Sequence, residues 1–499
     1  MFTYIDWLVI VLYFVMVASI GFYFSRRNTD FKDFMFGGGN MPWLAVGISL
    51  IATSVSANTF LGNPADSYAN DMRLLMLNIG SLIAIVIVGA VFIPRFRASG
   101  ISSAYELLEI KFSRSVRVLA ASFYSCHLLL RMGMLIYGPS LVLMKITGAP
   151  FWAAAVSMAV FAMLYTSLGG IKAVTTTDII QFVIFLGGGL LCIYFCAKGV
   201  GGFGKTWSLA EAAGKTRFYD FSWNPASDRN FFTASLVYVV FEVAIRGCDQ
   251  QFVQRYLSTK SVRTANYSSI TSSLLGICVG LVFFTVGIFL YVYFQVAHVE
   301  ALPDGLKVNQ VLPHFIVNVL PTGVKGLLVA AILAADMGAL SSVLTALSNT
   351  TVVDFLPRTP GAVNASHSIH NARKWVVLWG VLGMAASFVC SIGDVSILTK
   401  ALFFTSLFTG PLLSIFIQAF FLPKTHPRAV IVGTFLGMLA LIPFTNIPVL
   451  PAGMWKPFFA LAWPWNPVIS LTGSLICSQL ISLFLSPSGI GRHFHLGKG

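Results

Sequence analysis

Residues Pro42 to Gly62 read PWLAVGISLIATSVSANTFLG, and Thr53, Ser54, Ser56, Asn58 and Thr59 interrupt what would otherwise be an apolar run. Hydroxyl and amide groups of this kind bind polar solutes and hard cations. A second mixed stretch, FEVAIRGCDQQFVQ from Phe241 to Gln254, brings Asp249 and a Glu242–Arg246 pair at i,i+4 spacing, the spacing that joins side chains on one helix face. Two more charges stand in apolar surroundings: Arg131 in CHLLLRMGMLIYG and Asp336 in AADMGALSS. A guanidinium matches a carboxylate bidentately, which makes Arg131 a candidate receptor for an organic anion; the alternative is a fixed internal pair with Asp249. Asp249 has three readings: solute ligand, partner of Arg131, or proton carrier. Asp336 either supplies a cation ligand, carries a proton, or is satisfied by its neighbours. No nucleophile and base cluster together, so an enzyme is not expected.

The chain that must position these residues has 499 of them, 57% hydrophobic and only 10% charged, against roughly 25% charged in soluble domains. It reads as an all-α polytopic membrane protein with about 13 transmembrane helices, since about 20 apolar residues suffice to cross. The spans lie at approximately 5–24, 42–63, 73–94, 117–144, 150–168, 175–197, 231–254, 267–296, 322–350, 375–392, 398–421, 429–447 and 464–485. A charge at mid-bilayer costs about 2.5–3.5 kcal/mol on insertion scales, so Arg131 must face protein, water or ligand. Small polar residues also let helices pack closely, the plainer reading of any single serine or threonine. The polar groups clustered at 53–59 fit a discontinuous helix better, because polar backbone at that depth survives only against protein or a cavity.

The two mixed spans lie five apart, the spacing of a five-plus-five inverted repeat with two discontinuous helices and the site between them. On that reading 1–41 holds the first helix and a cytoplasmic loop, 42–198 the first half, 199–230 an extracellular loop, 231–421 the second half, and 422–499 two added helices and a short tail. Net charge is +14, but its placement argues for topology and against nucleic acid. With the N-terminus outside and the C-terminus cytoplasmic, Arg26, Arg27, Lys32, Arg95, Arg97, Arg114, Arg117, Arg255, Arg263, Arg358, Arg373, Lys374 and Arg428 fall on the cytoplasmic side of a plasma or inner membrane. The first span has no basic leader and is expected to be retained. All seven cysteines fall in apolar spans and are expected to be free packing thiols.

Three stretches, DFMFGGGNMPWLAVGISLIAT from Asp33 to Thr53, GGIKAVTTTDIIQ from Gly169 to Gln181 and QFVQRYLS from Gln251 to Ser258, resemble the solute:sodium symporter family in the expected order, over nearly the whole chain. Within it, IYGPSLVLMKITG from Ile136 to Gly148 resembles the branch carrying monocarboxylates, vitamins and iodide. Asn78 and Arg131 fall where bacterial sialic acid symporters place an amide and a carboxylate-binding arginine. The resemblance implies sodium coupling, alternating access and a solute site made of Ser54, Ser56, Thr59, Asn78, Arg131 and Asp249. It also implies one sodium held by carbonyls of Ala52, Val55 and Ala335 and by two hydroxyls, but Gly338 and Ala339 stand at the hydroxyl positions. Ser341 and Ser342, with Asp178, match a second sodium site found in some members. The co-transported ion is thus expected to be Na+, one or two per cycle, with H+ through Asp336 as the alternative. The partners expected are a small solute, an anion in preference to a neutral sugar, and the lipid bilayer, with no protein partner. A passive channel or a solute sensor is the reading of another class, and the short tail with His493 and His495 carries no signalling domain.

Overall fold

The computed structural model describes residues 3–25, 31–303, 305–356, 365–391, 397–445, 457–459 and 461–485. Arg26, Arg27, Arg358, His493 and His495, which entered the topology and tail readings, lie outside them. The described residues are helical and contain no strand. The main helices are α1 (Tyr4–Ser25), α2 (Trp43–Ser54), α3 (Asn63–Ala69), α4 (Leu77–Ile87), α5 (Arg114–Thr147), α6 (Phe151–Val200) and α7 (Tyr238–Cys248). They continue with α8 (Gln250–Leu257), α9 (Val262–Tyr291), α10 (Val324–Thr350), α11 (Ala365–Cys390), α12 (Ile397–Phe421), α13 (Pro427–Leu439) and α14 (Trp465–Phe484). Among the described residues seven helices are by themselves long and apolar enough to cross a membrane, and α2 with the chain to Ala69 is an eighth, bent by 66°. Helices at the other expected spans, such as Tyr4–Ile20 and Thr405–Phe421, are shorter. This is a multi-pass helical membrane fold, and thirteen independent crossings are more than helix length alone supports.

Local signals explain the boundaries. Ser113 and Ser261 sit in extended conformation and accept the backbone N–H of Val116 and Thr264, capping α5 and α9. The Asp6 carboxylate in α1 accepts N–H groups of Gly323 and Gly326 at 2.7 and 3.1 Å, placing a negative charge at the start of α10. In α6 the two expected spans 150–168 and 175–197 run together, separated by a kink at Gly170 with φ 62° and ψ −168°. A side chain there would meet Phe34 at 2.7 Å, so glycine is needed for both conformation and space.

α10 is the centre of the molecule: 94% of its most apolar window is buried, against 28% for α14. Its polar residues Asp336, Ser341, Ser342 and Thr345 are therefore surrounded by protein and not by lipid. α9 packs closely on α3 at Gly287, where an added side chain would overlap the Pro64 carbonyl and the Ser67 hydroxyl. Ser67 Oγ also donates to Phe284 O at 2.9 Å across this contact. Gly287→Val is expected to cost about 1–3 kcal/mol by overpacking, read as a lower melting temperature in detergent; a melting curve equal to wild type would contradict this packing.

All seven cysteines are free, as expected, with Cys126 and Cys278 exposed and Cys192, Cys196, Cys248 and Cys390 buried.

Candidate functional site

Both mixed spans are discontinuous. α2 ends where Val55 turns extended, with φ −85° and ψ 147°, and helix resumes at Ala57. α7 ends at Asp249, with φ −78° and ψ 124°, and α8 begins one residue later. A broken helix exposes carbonyls at the end of its first half and N–H groups at the start of its second, and each end attracts opposite charge. The structure supplies a partner for every end. Arg131 Nη2 donates to Thr53 O at 2.8 Å, and Asp336 Oδ1 accepts the Ala57 N–H at 2.8 Å. At the second break Tyr105 OH donates to Cys248 O at 3.0 Å, and Asp249 Oδ1 accepts the Gln251 N–H at 2.7 Å. Tyr124 OH and the Gln251 side chain complete the shell of the Asp249 carboxylate.

Arg131 and Asp249 are thus engaged with backbone ends and protein donors, each attached to its own break. No direct hydrogen bond between them is present among the described contacts, although they lie within electrostatic range.

A cavity of about 760 Å³ opens between the first break and α7, beside Asp228 and Arg229 of the 213–230 connection. Ser54, Thr59 and Asn78 line it, with Ser81, Glu242 and Arg246. Ser56, Arg131 and Asp249 do not line it; Ser56 is nearly buried, and its carbonyl accepts the N–H groups of Thr59 and Phe60. Glu242 and Arg246 form the pair read from their spacing, Nε to Oε2 at 2.6 Å, and Tyr238 OH donates to the other carboxylate oxygen at 2.7 Å. Near the mouth Arg229 spends two nitrogens on the carboxylate of Asp66, and Arg73 bridges Asp71 and Asp220. The backbone and side chain of Ser222, followed by Arg73, hold the Asp220 carboxyl down at about 2.

The cation-site residues gather at two neighbouring points. Ala52, Val55 and Ala335 meet around a small cleft that Gly338, Gln181, Phe182 and Phe185 also line. Glycine at 338 has a spatial reason: a side chain there would stand 2.6 Å from Gln181 Oε1 and 3.2 Å from Asp178 Oδ1. Both oxygens are buried without a hydrogen-bond partner among the described residues, so the acceptors near this point come from Gln181 and Asp178 and not from side chains at 338 and 339. At the second point Ser341 Oγ donates to Gly338 O, and Asp178 and Ser342 are joined through Arg255. The Arg255 guanidinium, 2% exposed, donates to Ser49 Oγ at 2.8 Å, Gln251 O at 3.1 Å, Ser342 Oγ at 2.6 Å and Asp178 Oδ2 at 3.2 Å. Gln181 and Arg255 were not singled out as site residues from sequence. The signal was present: Gln181 lies three residues after Asp178, on one helix face, and Arg255 sits inside QFVQRYLS.

On the face opposite the cavity Arg117, 1% exposed, pairs with Asp354 at 2.8 Å and with Glu109, and Ser103 Oγ donates to Asp354 at 2.7 Å. Arg97 donates to the carbonyls of Tyr256 and Thr259, both at 2.8 Å. These residues were read as cytoplasmic positive charge. The structure gives them a second role, joining separate segments of the chain: Arg117 of α5 to Asp354, and Arg97 to the end of α8 and the turn after it.

The model of the sodium:solute symporter family matches residues 34–440. A sodium/sialic acid symporter, SiaT of Proteus mirabilis, is 29% identical over 452 residues, 88% of this chain and 89% of the relative. Sodium-coupled monocarboxylate transporter 2 of Danio rerio is 28% identical over 445 residues, 87% of this chain and 70% of the relative. A solved structure described as the substrate-bound outward-open state of a Na+-coupled sialic acid symporter superposes with a TM-score of 0.86 at 25% identity, covering 98% of this chain and 99% of that one. With two capped helix breaks and a family match over most of its length, the chain belongs to the sodium:solute symporter family and is a sodium-coupled symporter.

Proposed function

We infer that the chain imports a small organic carboxylate together with sodium, with the solute held in the cavity between the first break and α7. The observation that carries this is the lining: Ser54 and Thr59, from the two sides of the first break, and Asn78 of α4 supply neutral hydrogen-bonding groups, and Arg246 in the same lining supplies positive charge, around a volume within the range of small-molecule sites. Relatives named for sialic acid and for monocarboxylates supply the solute class. Ala52, Val55 and Ala335, with oxygens of Gln181 and Asp178 close by, are the sodium ligands in this reading; an oxygen set suits a hard cation. Asp178, Ser341 and Ser342 serve a second cation only if Arg255 withdraws from them. Arg131 and Asp336 hold the first break, and Asp249 the second, as positioning residues.

The cavity opens on the side of the 213–230 connection, taken as extracellular, while the Arg117 and Arg97 clusters close the other side. An inverted repeat of 42–198 and 231–421, each half opening on a broken helix, rocks to exchange these states. A neutral polyhydroxylated solute is the second reading, favoured by the uncharged Ser54, Thr59 and Asn78.

Proteoliposomes decide between them. Radiolabelled sialic acid or lactate should accumulate when a sodium gradient is imposed and not when a pH gradient alone is imposed. A tenfold sodium gradient supplies about 1.4 kcal/mol, so electroneutral one-to-one coupling should level off near tenfold accumulation. Accumulation of either acid without an ion gradient would remove coupled import of that acid, and sodium-driven uptake of sugars alone would favour the neutral solute.

A further inference from the structure

Of the guanidiniums near the breaks, two border the cavity, Arg229 and Arg246. Arg229 is spent: Nη1 and Nη2 both donate to Asp66. Arg131, the arginine expected to take a carboxylate, does not border the cavity and gives Nη2 to the Thr53 carbonyl. Arg246 differs from both. It is 5% exposed, its Nε is fixed to Glu242 at 2.6 Å, and Phe252 lies against the guanidinium with its ring centroid 5.6 Å from Cζ. Yet Nη1 is buried with no hydrogen-bond partner among the described residues. An unused charged donor at that depth carries a desolvation cost that an acceptor from a bound molecule would relieve.

We propose that Arg246, oriented by Glu242, receives the carboxylate of the transported solute and sets the preference for acids over their neutral analogues. This rests on the carboxylate reading above. The ion pair locks the fork in place, so little side-chain freedom is lost when the solute arrives. Asn78, whose Nδ2 donates to Leu75 O, keeps its carbonyl oxygen for a hydroxyl or amide N–H of the same solute.

The test measures binding to purified full-length protein in sodium, by calorimetry or thermal shift, using sialic acid against its methyl ester and lactate against lactamide. Wild type should prefer the acids. Arg246→Gln should weaken acid binding by about ten- to a hundredfold, the usual range for a charge-assisted hydrogen bond, and leave ester and amide binding within a fewfold of wild type. Arg246→Gln leaves Glu242 unpaired, so the double variant Glu242→Gln/Arg246→Gln guards against misfolding and should show the same lost preference. Arg246→Lys should restore part of it. Acid preference undiminished in folded Arg246→Gln and in the double variant would overturn the proposal, as would a wild type that binds acid and ester equally. A wild type that binds none of the four probes would instead overturn the carboxylate reading on which this one rests.

Discussion

Replacing Arg255 by methionine should produce a far larger loss of stability than removing any surface charge. The guanidinium joins four helices at once: α8 carries it, Ser49 belongs to α2, Asp178 to α6 and Ser342 to α10. Without it the Asp178 carboxylate, fully buried, keeps among the described residues only the Ser49 hydroxyl as partner. Breaking a buried pair by removing one member typically costs about 3–5 kcal/mol, because the remaining charge is uncompensated. Methionine fills much of the volume, so the loss reports charge and not a cavity. Arg255→Met/Asp178→Asn should recover a large part of it, since a neutral amide is cheaper to bury than an unpaired carboxylate. Melting temperatures in detergent should rank wild type first, the double variant next and the single variant last. A single variant as stable as wild type would show that the pair contributes nothing net. Sodium-driven uptake should fall in both variants, because the break beside Ala52 and Val55 is then held by fewer helices.

The second large effect concerns Asp336, 1% exposed in the most buried helix. Its carboxylate holds the N–H end of the restarted helix while Arg131 holds the carbonyl end of the half before it. Asp336→Ala removes a cap worth about 0.5–2 kcal/mol, and it leaves the nearby Arg131 charge with less compensation. The carbonyls of Ala52 and Val55 flank this break, so the sodium concentration giving half-maximal thermal stabilisation should rise by about two- to thirtyfold, the equivalent of such a cap. Asp336→Asn keeps an acceptor oxygen and should fall between. Unchanged sodium dependence in Asp336→Ala would separate this residue from the ion site. Uptake driven by a pH gradient in wild type and lost in Asp336→Asn would instead assign it the proton.

Much of this architecture could be read from residue order because its cause is local. A run of hydroxyls at 53–59 and an acid after Gly247 and Cys248 are poor material for an unbroken apolar helix, and both places are broken. The Glu242–Arg246 pair follows from helical spacing alone. What could not be read was which neighbour each buried charge meets. Arg131 was recognisable as expensive, but helical periodicity gives its depth and not its partner, and the partner is a backbone carbonyl on another helix. Likewise the glycine at 338 looked like a missing ligand until Gln181, more than a hundred residues earlier, was found pressed against it. Contacts of that kind depend on how α2 lies on α5 and α6 on α10, which no local pattern encodes.

The first break is fastened at its two lips by different helices, α5 through Arg131 and α10 through Asp336. Neither can slide against the other without prising that joint open or dragging it along. If sodium binds where proposed, among the carbonyls at the same joint, it would work as a clasp: it would favour whichever tilt keeps the lips together, and its departure would free the two helices to part.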